Sequence, residues 1–473
     1  MLYPGPRRIL RAMLWRRHPW LIAIGSAYLL LGIVYAFTTP LFEAPDELYH
    51  YAFATYLADG KGLPPLDVPM RQHRIGQEVG QPPLYYAGAA LVIAALRPGN
   101  TLDAFRFNPH AAVGVPDVFP GNRNLVVAPR ADRVPHTRLS LAVHLIRLIS
   151  VCLGLVAVVA TYALALALRP LDHAFAALAA AFTAFNPQFV FISASVNNDN
   201  VIDALAAATL LLVIRGLDTK PSWRFPIGLG LLTGLATLGK ADGLALVAVV
   251  GVGFLWIAWR QRSLSWLVRA SATYLGVVVV LVGPWLVYNV RTWGDPFGIA
   301  THLPFVGRAG TIGLGEVLAE APSFWLSFWG VFGAFSILAP PEYYAFFNDL
   351  CLLAAFGLAL GVAGALRTGR WRTWFAAAKG AAPPALKLGL VAGWLTLILA
   401  LLVRYSLLVP AAQGRLAFPA IASVSILLAL GLVQLPVAKP ALVGAIGACL
   451  VATSAAVPFS IILPAYPRPP ILT

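Results

Sequence analysis

Residues 139–168 read LSLAVHLIRLISVCLGLVAVVATYALALAL, an apolar run in which Arg147 is the one formally charged side chain. An α-helix rises about 1.5 Å per residue, and about 20 consecutive apolar residues cross a hydrocarbon core of ~30 Å. This run therefore predicts a membrane-spanning helix. We predict about eleven spans of this kind, at about 19–39, 139–168, 173–196, 200–216, 225–240, 243–260, 270–290, 343–366, 387–408, 415–435 and 440–463.

The composition agrees with an all-α polytopic membrane protein. Of the 473 residues, 59% are hydrophobic and 11% are charged, which excludes a soluble protein. The net charge of +15 does not indicate a nucleic-acid partner, because most basic residues lie in short loops between spans. Cys152, Cys351 and Cys449 lie in apolar segments and give no disulfide framework or ligand spacing. We find no soluble domain and no internal repeat, so residues 1–473 are predicted to form one transmembrane domain.

Basic residues predict the orientation of the chain, because cytoplasmic loops are enriched in Lys and Arg. The first span is too long for the core of a cleaved signal, and no small-residue cleavage site follows it. Treating the short apolar segment 81–96 as an interfacial or re-entrant helix keeps the basic loops cytoplasmic. Residues 40–137 then form a first external loop with nine of the 19 acids, and 292–342 a second external segment. The N-terminus is predicted to lie in the cytoplasm, on the evidence of Arg7, Arg8, Arg11, Arg16 and Arg17.

The acidic sequence PDELYH, residues 45–50, follows the first span. One interpretation is helix capping, since Pro and acidic side chains are common in a first helical turn. The other is catalytic. Asp46 would act as a general base at the mouth of a membrane cavity, with Glu47 or His50 assisting, because partial desolvation makes a carboxylate more basic. Asp46 and His50 are spaced i and i+4, which places them on one helix face.

Two further polar stretches precede membrane helices. The sequence QPPLYY, residues 81–86, is a rigid entry into an apolar helix and contains Tyr85. The sequence SASVNNDN, residues 193–200, contains Asn198 and Asp199. It is either a polar turn between helices or a site for a hydroxyl-rich ligand that faces the same compartment as Asp46.

Isolated cations in or beside apolar segments form the last candidate set. Charges within spans are costly and usually face a cavity or a partner, although a cation near the interface also reaches water by snorkelling. Several cations toward the outer half of the membrane suggest an anionic ligand such as a lipid phosphate, which suits the donor geometry of arginine. The set is Arg147, Lys240, Arg291, Arg404 and Arg415.

In this order, the motifs resemble the GT-C superfamily of membrane glycosyltransferases, which includes protein O-mannosyltransferases and aminoarabinose transferases. A broad bacterial branch of mostly uncharacterised members is the nearest in its motifs. Each motif is weak alone, and the ordered set covers nearly the whole chain. The motifs are PDExxH at 45–50, QPPLYY at 81–86, LIRLIS at 145–150, VNND at 196–199, GPWLVYN at 283–289, GDPF at 294–297, SFWGVFG at 327–333 and QGRLAFP at 413–419.

The resemblance implies transfer of a sugar from a polyprenyl-phosphate carrier to an acceptor hydroxyl on a glycan, lipid or protein. It places the reaction on the extracytoplasmic face of the plasma membrane, in the cell envelope, with inversion and with Asp46 as base. Gln81 departs from the Lys or His that many relatives carry before the Pro-Pro pair, which removes a phosphate contact. The resemblance implies donor-phosphate binding by Arg147, Lys240 and Arg415, with Arg404 as a weaker candidate.

The family contains metal-dependent and metal-independent members. Asp46, Glu47 and Asp199 are therefore candidate ligands for a divalent cation, and oxygen ligands suit Mg²⁺ or Mn²⁺. Tyr85, Asn198 and Asp199 are the candidate substrate-binding residues. The sequence leaves open whether a hexose or a pentose is transferred.

Two alternatives belong to other functional classes. A transporter or lipid flippase is expected to have broken helices near the bilayer midplane, often in inverted repeats. The sequence shows no such pair, and a long external loop is unusual for that class. A catalytically inactive membrane scaffold would explain Gln81 but not the remaining acids and cations.

Overall fold

The computed structural model describes residues 18–64, 75–99, 106–108, 111, 124–127, 137–376 and 381–466. The five N-terminal arginines lie outside these residues, so the orientation of the chain stays a prediction. Within the described residues, nine helices are long and apolar enough to cross a membrane, which confirms the predicted polytopic helical fold. They are Pro19–Thr38, Arg138–Leu168, Asp199–Leu217, Ala241–Gln261, Leu264–Trp293, Pro341–Arg367, Pro384–Ser406, Gly414–Leu432 and Lys439–Ala465.

The predicted number of eleven spans is not confirmed. The predicted span 173–196 consists of the helices His173–Ala184 and Pro187–Ser193, which are bent by 60°, and counting them as one span gives ten. The predicted span 225–240 is the helix Arg224–Gly239, whose 16 residues extend only about 24 Å. This helix is shorter than the hydrocarbon core, so its length alone does not identify a crossing.

Shorter elements lie between the long helices and at their ends. The helix Leu84–Leu96 has 13 residues and extends about 20 Å, which agrees with the expectation that it does not cross the membrane. Two antiparallel pairs are formed by the strands Arg106–Phe107 with Val126–Val127, and Val331–Phe332 with Ile337–Leu338. The other short helices are Glu47–Ala58, Ile299–Val306, Leu314–Ala319, Ala321–Gly330, Trp371–Phe375 and Leu463–Ala465, with 3-10 turns at Gly76–Gly80, Ala241–Ala245 and Gly414–Ala420 and a π turn at Pro458–Ile462.

Side-chain caps mark the starts of four described helices, and one of them is Ser263, which accepts a hydrogen bond from the Trp266 amide at 3.1 Å. Thr137 accepts a hydrogen bond from the Ser140 amide at 3.1 Å, and Asp172 accepts one from the Phe175 amide at 3.1 Å. Asn186 accepts from the Phe189 amide at 3.1 Å and begins the second helix of the bent pair. Such caps satisfy backbone donors that have no partner inside the helix. At the break in the bent pair, the Asn186 side chain therefore satisfies a backbone donor of the second helix.

The described part of the first loop packs onto the membrane helices through a hydrophobic cluster that includes Phe42, Phe53, Tyr86 and Val143. Glu43 anchors the same region. It is 1% exposed and accepts hydrogen bonds from the Leu125 and Val126 amides at 2.8 and 3.1 Å. Burial raises the pKa of Glu43 to about 8. These contacts hold the chain that leads directly into Asp46.

Candidate active site

Four charged side chains from distant parts of the sequence meet at one place, and we call Asp46, Asp199, Lys240 and Arg415 the polar cluster. Lys240 Nζ lies 2.5 Å from Asp199 Oδ1, and an Arg415 Nη lies 3.4 Å from Asp199 Oδ2. The second Nη of Arg415 donates to Asp46 Oδ2. Arg415 thus bridges two carboxylates, and the cluster contains two acids and two cations.

The backbone directs Asp46 toward this cluster. Asp46 has φ +61°, in the left-handed region, and directly precedes the Glu47–Ala58 helix. Its carboxylate makes no capping hydrogen bond to that helix, so the structure does not support the capping interpretation. Instead, the Gln77 side-chain amide donates to Asp46 Oδ1 at 2.6 Å. The side chain is 21% exposed, which leaves the carboxylate accessible to a substrate.

Asp199 and Lys240 are positioned by turns at helix ends. Asp199 is the first residue of the Asp199–Leu217 helix, where the helix dipole favours negative charge. Lys240 lies in extended conformation between two helical segments, with φ −153°. The Asn198 side-chain amide donates to the Gly239 carbonyl at 3.0 Å and to Gln81 Oε1 at 3.2 Å. Asn198 thus links these two turns to the segment that contains Gln81.

A buried hydrogen-bonded group lies beside Asp46. His50 Nδ1 is 2.8 Å from the Tyr86 hydroxyl, which donates to Glu78 Oε2 at 3.3 Å. Burial lowers the pKa of His50 to about 4. Burial, followed by the nearby Asp46 carboxylate, raises the pKa of Glu78 to about 8. Both shifts favour the neutral forms near pH 7, so this contact is a neutral hydrogen-bond network rather than an ion pair.

Glu78 is a site residue that the sequence did not single out. It is 5% exposed and lies in the 3-10 turn Gly76–Gly80, three residues before Gln81. The available signal was an acid directly beside the QPPLYY motif in a chain that is poor in acids. Gln77, which precedes Glu78 and donates to Asp46, carries no sequence signal of its own.

Asp46, His50 and Glu78 are the group that fits a metal ion within the described residues. One ligand atom from each lies within 4.8 Å of the others. An imidazole nitrogen with two carboxylates suits Zn²⁺ or Mn²⁺ better than Mg²⁺, which prefers oxygen ligands alone. The predicted ligand set was Asp46, Glu47 and Asp199. The structure does not bring Glu47 to this place, and Asp199 is engaged by two cations.

Glu47 and Arg147 form a separate, fully buried ion pair. Both side chains are 0% exposed, with Arg147 Nε 2.8 Å from Glu47 Oε1 and an Nη 2.6 Å from Oε2. Arg147 also donates to the carbonyls of Ala36, Thr39 and Pro40 at 2.6, 2.7 and 3.0 Å. These bonds occupy the guanidinium completely, so the structure places Arg147 in a helix-to-loop junction and not at a phosphate site. Glu47 further accepts from the backbone amides of Phe42 and Val196, both at 2.9 Å.

The remaining predicted site residues, Tyr85 and Arg404, lie in different environments. The Tyr85 hydroxyl is 2.8 Å from Ser150 Oγ and accepts from the Asn197 amide at 2.9 Å, so Tyr85 is buried and supports the turn before Asp199. Arg404 is exposed in the last turn of the Pro384–Ser406 helix and forms no ion pair with the described residues. Lys240 and Arg415 are the predicted cations that belong to the polar cluster, and Arg415 is the one that contacts Asp46.

This fold and this site define a multi-pass helical membrane protein whose charged groups gather at helix ends. Residues 141–288 match the family model of dolichyl-phosphate-mannose-protein mannosyltransferases. The match confirms the predicted resemblance to GT-C membrane glycosyltransferases, and it includes Asp199 and Lys240 of the polar cluster. No curated protein sequence matches the chain significantly.

Solved structures give distant likenesses. ArnT from Cupriavidus metallidurans bound to undecaprenyl phosphate has 16% identity and a TM-score of 0.48, over 88% of this chain and 60% of ArnT. The oligosaccharyltransferase of Archaeoglobus fulgidus tethered to an acceptor peptide has 15% identity and a TM-score of 0.47, over 95% of this chain and 55% of that protein. This chain thus spans less than two thirds of the length of either structure.

Proposed function

We propose that this protein is an inverting membrane glycosyltransferase that uses a polyprenyl-phosphate sugar as donor. The observation that carries the proposal is the polar cluster, in which the partly exposed Asp46 carboxylate pairs with Arg415, and Asp199 links Arg415 to Lys240. Arg415 and Asp46 are 369 positions apart in the chain, so the fold has to be formed before these groups meet. The family match over residues 141–288 supports the same class of reaction.

In the proposed reaction, Asp46 accepts the proton of an acceptor hydroxyl on a glycan, lipid or protein. The hydroxyl oxygen attacks the anomeric carbon on the side opposite the phosphate. The bond between that carbon and the phosphate oxygen breaks, and its electron pair remains on the phosphate. Arg415 and Lys240 stabilise the negative charge of the leaving polyprenyl phosphate. Holding donor and acceptor in one cavity supplies a further part of the acceleration. The proposal places the site on the extracytoplasmic face of the plasma membrane.

The proposal includes a divalent metal ion held by Asp46, His50 and Glu78. When bound, such an ion supplies Lewis-acid stabilisation of the phosphate charge. Glu78 has to be ionised and His50 neutral to serve as ligands, so metal binding releases the proton that a neutral Glu78 holds. The sugar and the acceptor are not defined by these contacts.

The transporter or flippase alternative has one observation in its favour, the 60° break between the helices His173–Ala184 and Pro187–Ser193. Transporters use such breaks to present free backbone groups to a substrate. Here Asn186 caps the second helix and donates to the Phe328 carbonyl at 3.1 Å. Polar groups at the break are thus bonded within the protein and are not presented to a substrate. We therefore prefer the transferase. Movement of a prenyl-phosphate sugar from one leaflet to the other in vesicles that contain the protein, without covalent change, would favour the alternative.

The direct test is incubation of the purified protein with a panel of polyprenyl-phosphate sugars, followed by analysis of sugar hydrolysis or transfer. At least one donor is expected to be consumed, with inversion at the anomeric carbon of any glycoside formed. An inactive scaffold would bind polyprenyl phosphate but consume no donor in the panel. Retention of configuration would exclude the single-displacement mechanism.

Arg415→Gln is expected to weaken binding of undecaprenyl phosphate by about 10- to 100-fold, because hydrogen bonds to charged groups contribute about 1.5–3 kcal/mol. Arg367→Gln, which changes an exposed arginine in the last turn of the Pro341–Arg367 helix, is the control, with an expected change of less than about twofold. Isothermal titration of both purified variants with undecaprenyl phosphate measures the difference. Equal losses in the two variants would contradict the assignment of Arg415 to the phosphate.

Glu78→Gln is expected to weaken binding of Mn²⁺ or Zn²⁺ by more than about tenfold. Mutation of a residue that only hydrogen-bonds to a metal ligand already lowers metal affinity by about 10- to 100-fold, and Glu78 is a proposed ligand itself. Glu316→Gln, which changes an exposed acid of the second external segment, is expected to leave metal binding unaltered. Titration calorimetry with MnCl₂ and with ZnCl₂ gives the comparison. Full transferase activity after treatment with EDTA would show that the reaction does not require the ion.

A further inference from the structure

A second group of buried polar atoms lies apart from the polar cluster, one helical turn further along the Asp199–Leu217 helix. Asp203 is 1% exposed, and neither of its carboxylate oxygens has a hydrogen-bond partner among the described residues. The cations nearest to this helix end, Lys240 and Arg415, bind Asp199 instead. A buried carboxylate without a partner is strongly unfavourable, and a charged residue in a membrane helix usually has a functional partner.

Three more buried oxygen atoms in this region have no hydrogen bond of ordinary geometry with the described residues. They are the Tyr28 hydroxyl, Ser193 Oγ and Asn200 Oδ1, and all three residues are at most 1% exposed. Asn200 precedes Asp203 by three residues on the helix, and its amide nitrogen donates to the Ile192 carbonyl, next to Ser193, at 3.3 Å. The Tyr28 hydroxyl lies close enough to the Ser193 side chain for a hydrogen bond, and the Asp203 carboxylate is within electrostatic range of the Tyr28 hydroxyl. The unpartnered oxygens therefore converge from three helices.

A glycine makes room for two of these oxygens. A Cβ atom added at Gly154 would lie 1.9 Å from the Tyr28 hydroxyl and 2.7 Å from Ser193 Oγ. Any larger residue at position 154 would displace both groups. The missing side chain thus allows the hydroxyls to approach each other beside the Arg138–Leu168 helix.

We propose that Asp203, Asn200, Ser193 and Tyr28 form an internal binding site for a monovalent cation of the sodium class. The site offers five oxygen atoms, which are the ligands that hard cations prefer. It contains one carboxylate, so a single positive charge neutralises it. The cation would fasten the turn at residues 193–200 to the Pro19–Thr38 helix, and this turn positions Asn198 and Asp199.

The test is thermal unfolding of the full-length protein in detergent while choline chloride is replaced by NaCl at constant ionic strength. The melting temperature of the wild type is expected to rise by about 2 °C or more in NaCl. Asp203→Asn, which keeps the side-chain shape without the charge, is expected to abolish the rise. Sodium-23 NMR of the two proteins provides a direct readout, with line broadening only for the wild type.

A melting temperature of the wild type that does not change with sodium would overturn the proposal. Protonation of Asp203 or an internal water molecule would then account for its buried carboxyl group. An unchanged sodium response in Asp203→Asn would overturn it too. If Asp203→Asn does not fold, Tyr28→Phe and Gly154→Ala take its place, and both are expected to reduce the response. Gly276→Ala is the control, because a Cβ atom there meets no atom within 4 Å.

Discussion

Asp46→Asn is expected to lower the rate of sugar transfer by about 10²- to 10⁴-fold, the usual contribution of a general base. Asparagine retains the shape of the side chain and still accepts the hydrogen bond from Gln77, but it does not take up a proton from the acceptor. Arg415 is released from its ion pair with position 46 and remains available to phosphate. Binding of undecaprenyl phosphate is therefore expected to be retained, while turnover is lost.

Asp59→Asn is the matched control for this variant. Asp59 lies at the other end of the same helix, about 18 Å away along its axis, where it forms an exposed ion pair with Lys61 at 2.8 Å. The control is expected to transfer sugar at the wild-type rate. Normal turnover by Asp46→Asn would exclude Asp46 as the base. A parallel loss of donor binding and melting temperature would assign Asp46 a structural role instead.

Glu47→Ala is expected to destabilise the folded protein by about 3–5 kcal/mol, because removing one partner leaves the other charge buried and uncompensated. The Arg147 side chain is 0% exposed and has no route to water in this structure. A loss of this size is a large part of the 5–15 kcal/mol that stabilises a typical protein. A lower melting temperature and a smaller yield of folded protein in detergent are the measurements.

Lys61→Ala is the comparison for this prediction, since it breaks an exposed ion pair and is expected to cost less than about 1 kcal/mol. Arg147→Met tests the same junction from the other side. If Arg147 instead bound the donor phosphate, as the sequence suggested, Arg147→Met would fold normally and lose affinity for undecaprenyl phosphate. That result would return Arg147 to the binding site.

Within PDELYH, the different environments of Asp46 and Glu47 show how much the sequence alone could predict. The concentration of acids after the first span drew attention to the loop that contributes Asp46 to the polar cluster, because acids are rare in this chain and their position is visible in the sequence. Asp46 and Glu47 are adjacent, yet one carboxylate is 21% exposed and the other is 0% exposed. The positive φ of Asp46 turns the two side chains to different environments, and no spacing rule predicts that turn.

The cations show the same division. Arg147, Lys240 and Arg415 looked equivalent in the sequence, because each is a single charge beside an apolar run. Whether a cation faces a ligand or a structural carboxylate depends on its neighbours from other helices. Glu47 lies 100 positions before Arg147, and Asp199 lies 41 positions before Lys240. Pairings over such separations are set by helix packing.

The sequence by itself determined the class of fold and its resemblance to membrane glycosyltransferases. Hydrophobic run length is a local property, and the hydrocarbon core converts it directly into spanning helices. It also identified three of the four residues of the polar cluster as phosphate or base candidates, and the fourth, Asp199, as a substrate candidate. Only the tertiary structure decided that Glu78 lies beside Asp46 and His50, that Glu47 and Arg147 neutralise each other, and that Asp203 has no hydrogen-bond partner among the described residues. These facts depend on distances between segments far apart in the chain, which are fixed when the helices pack.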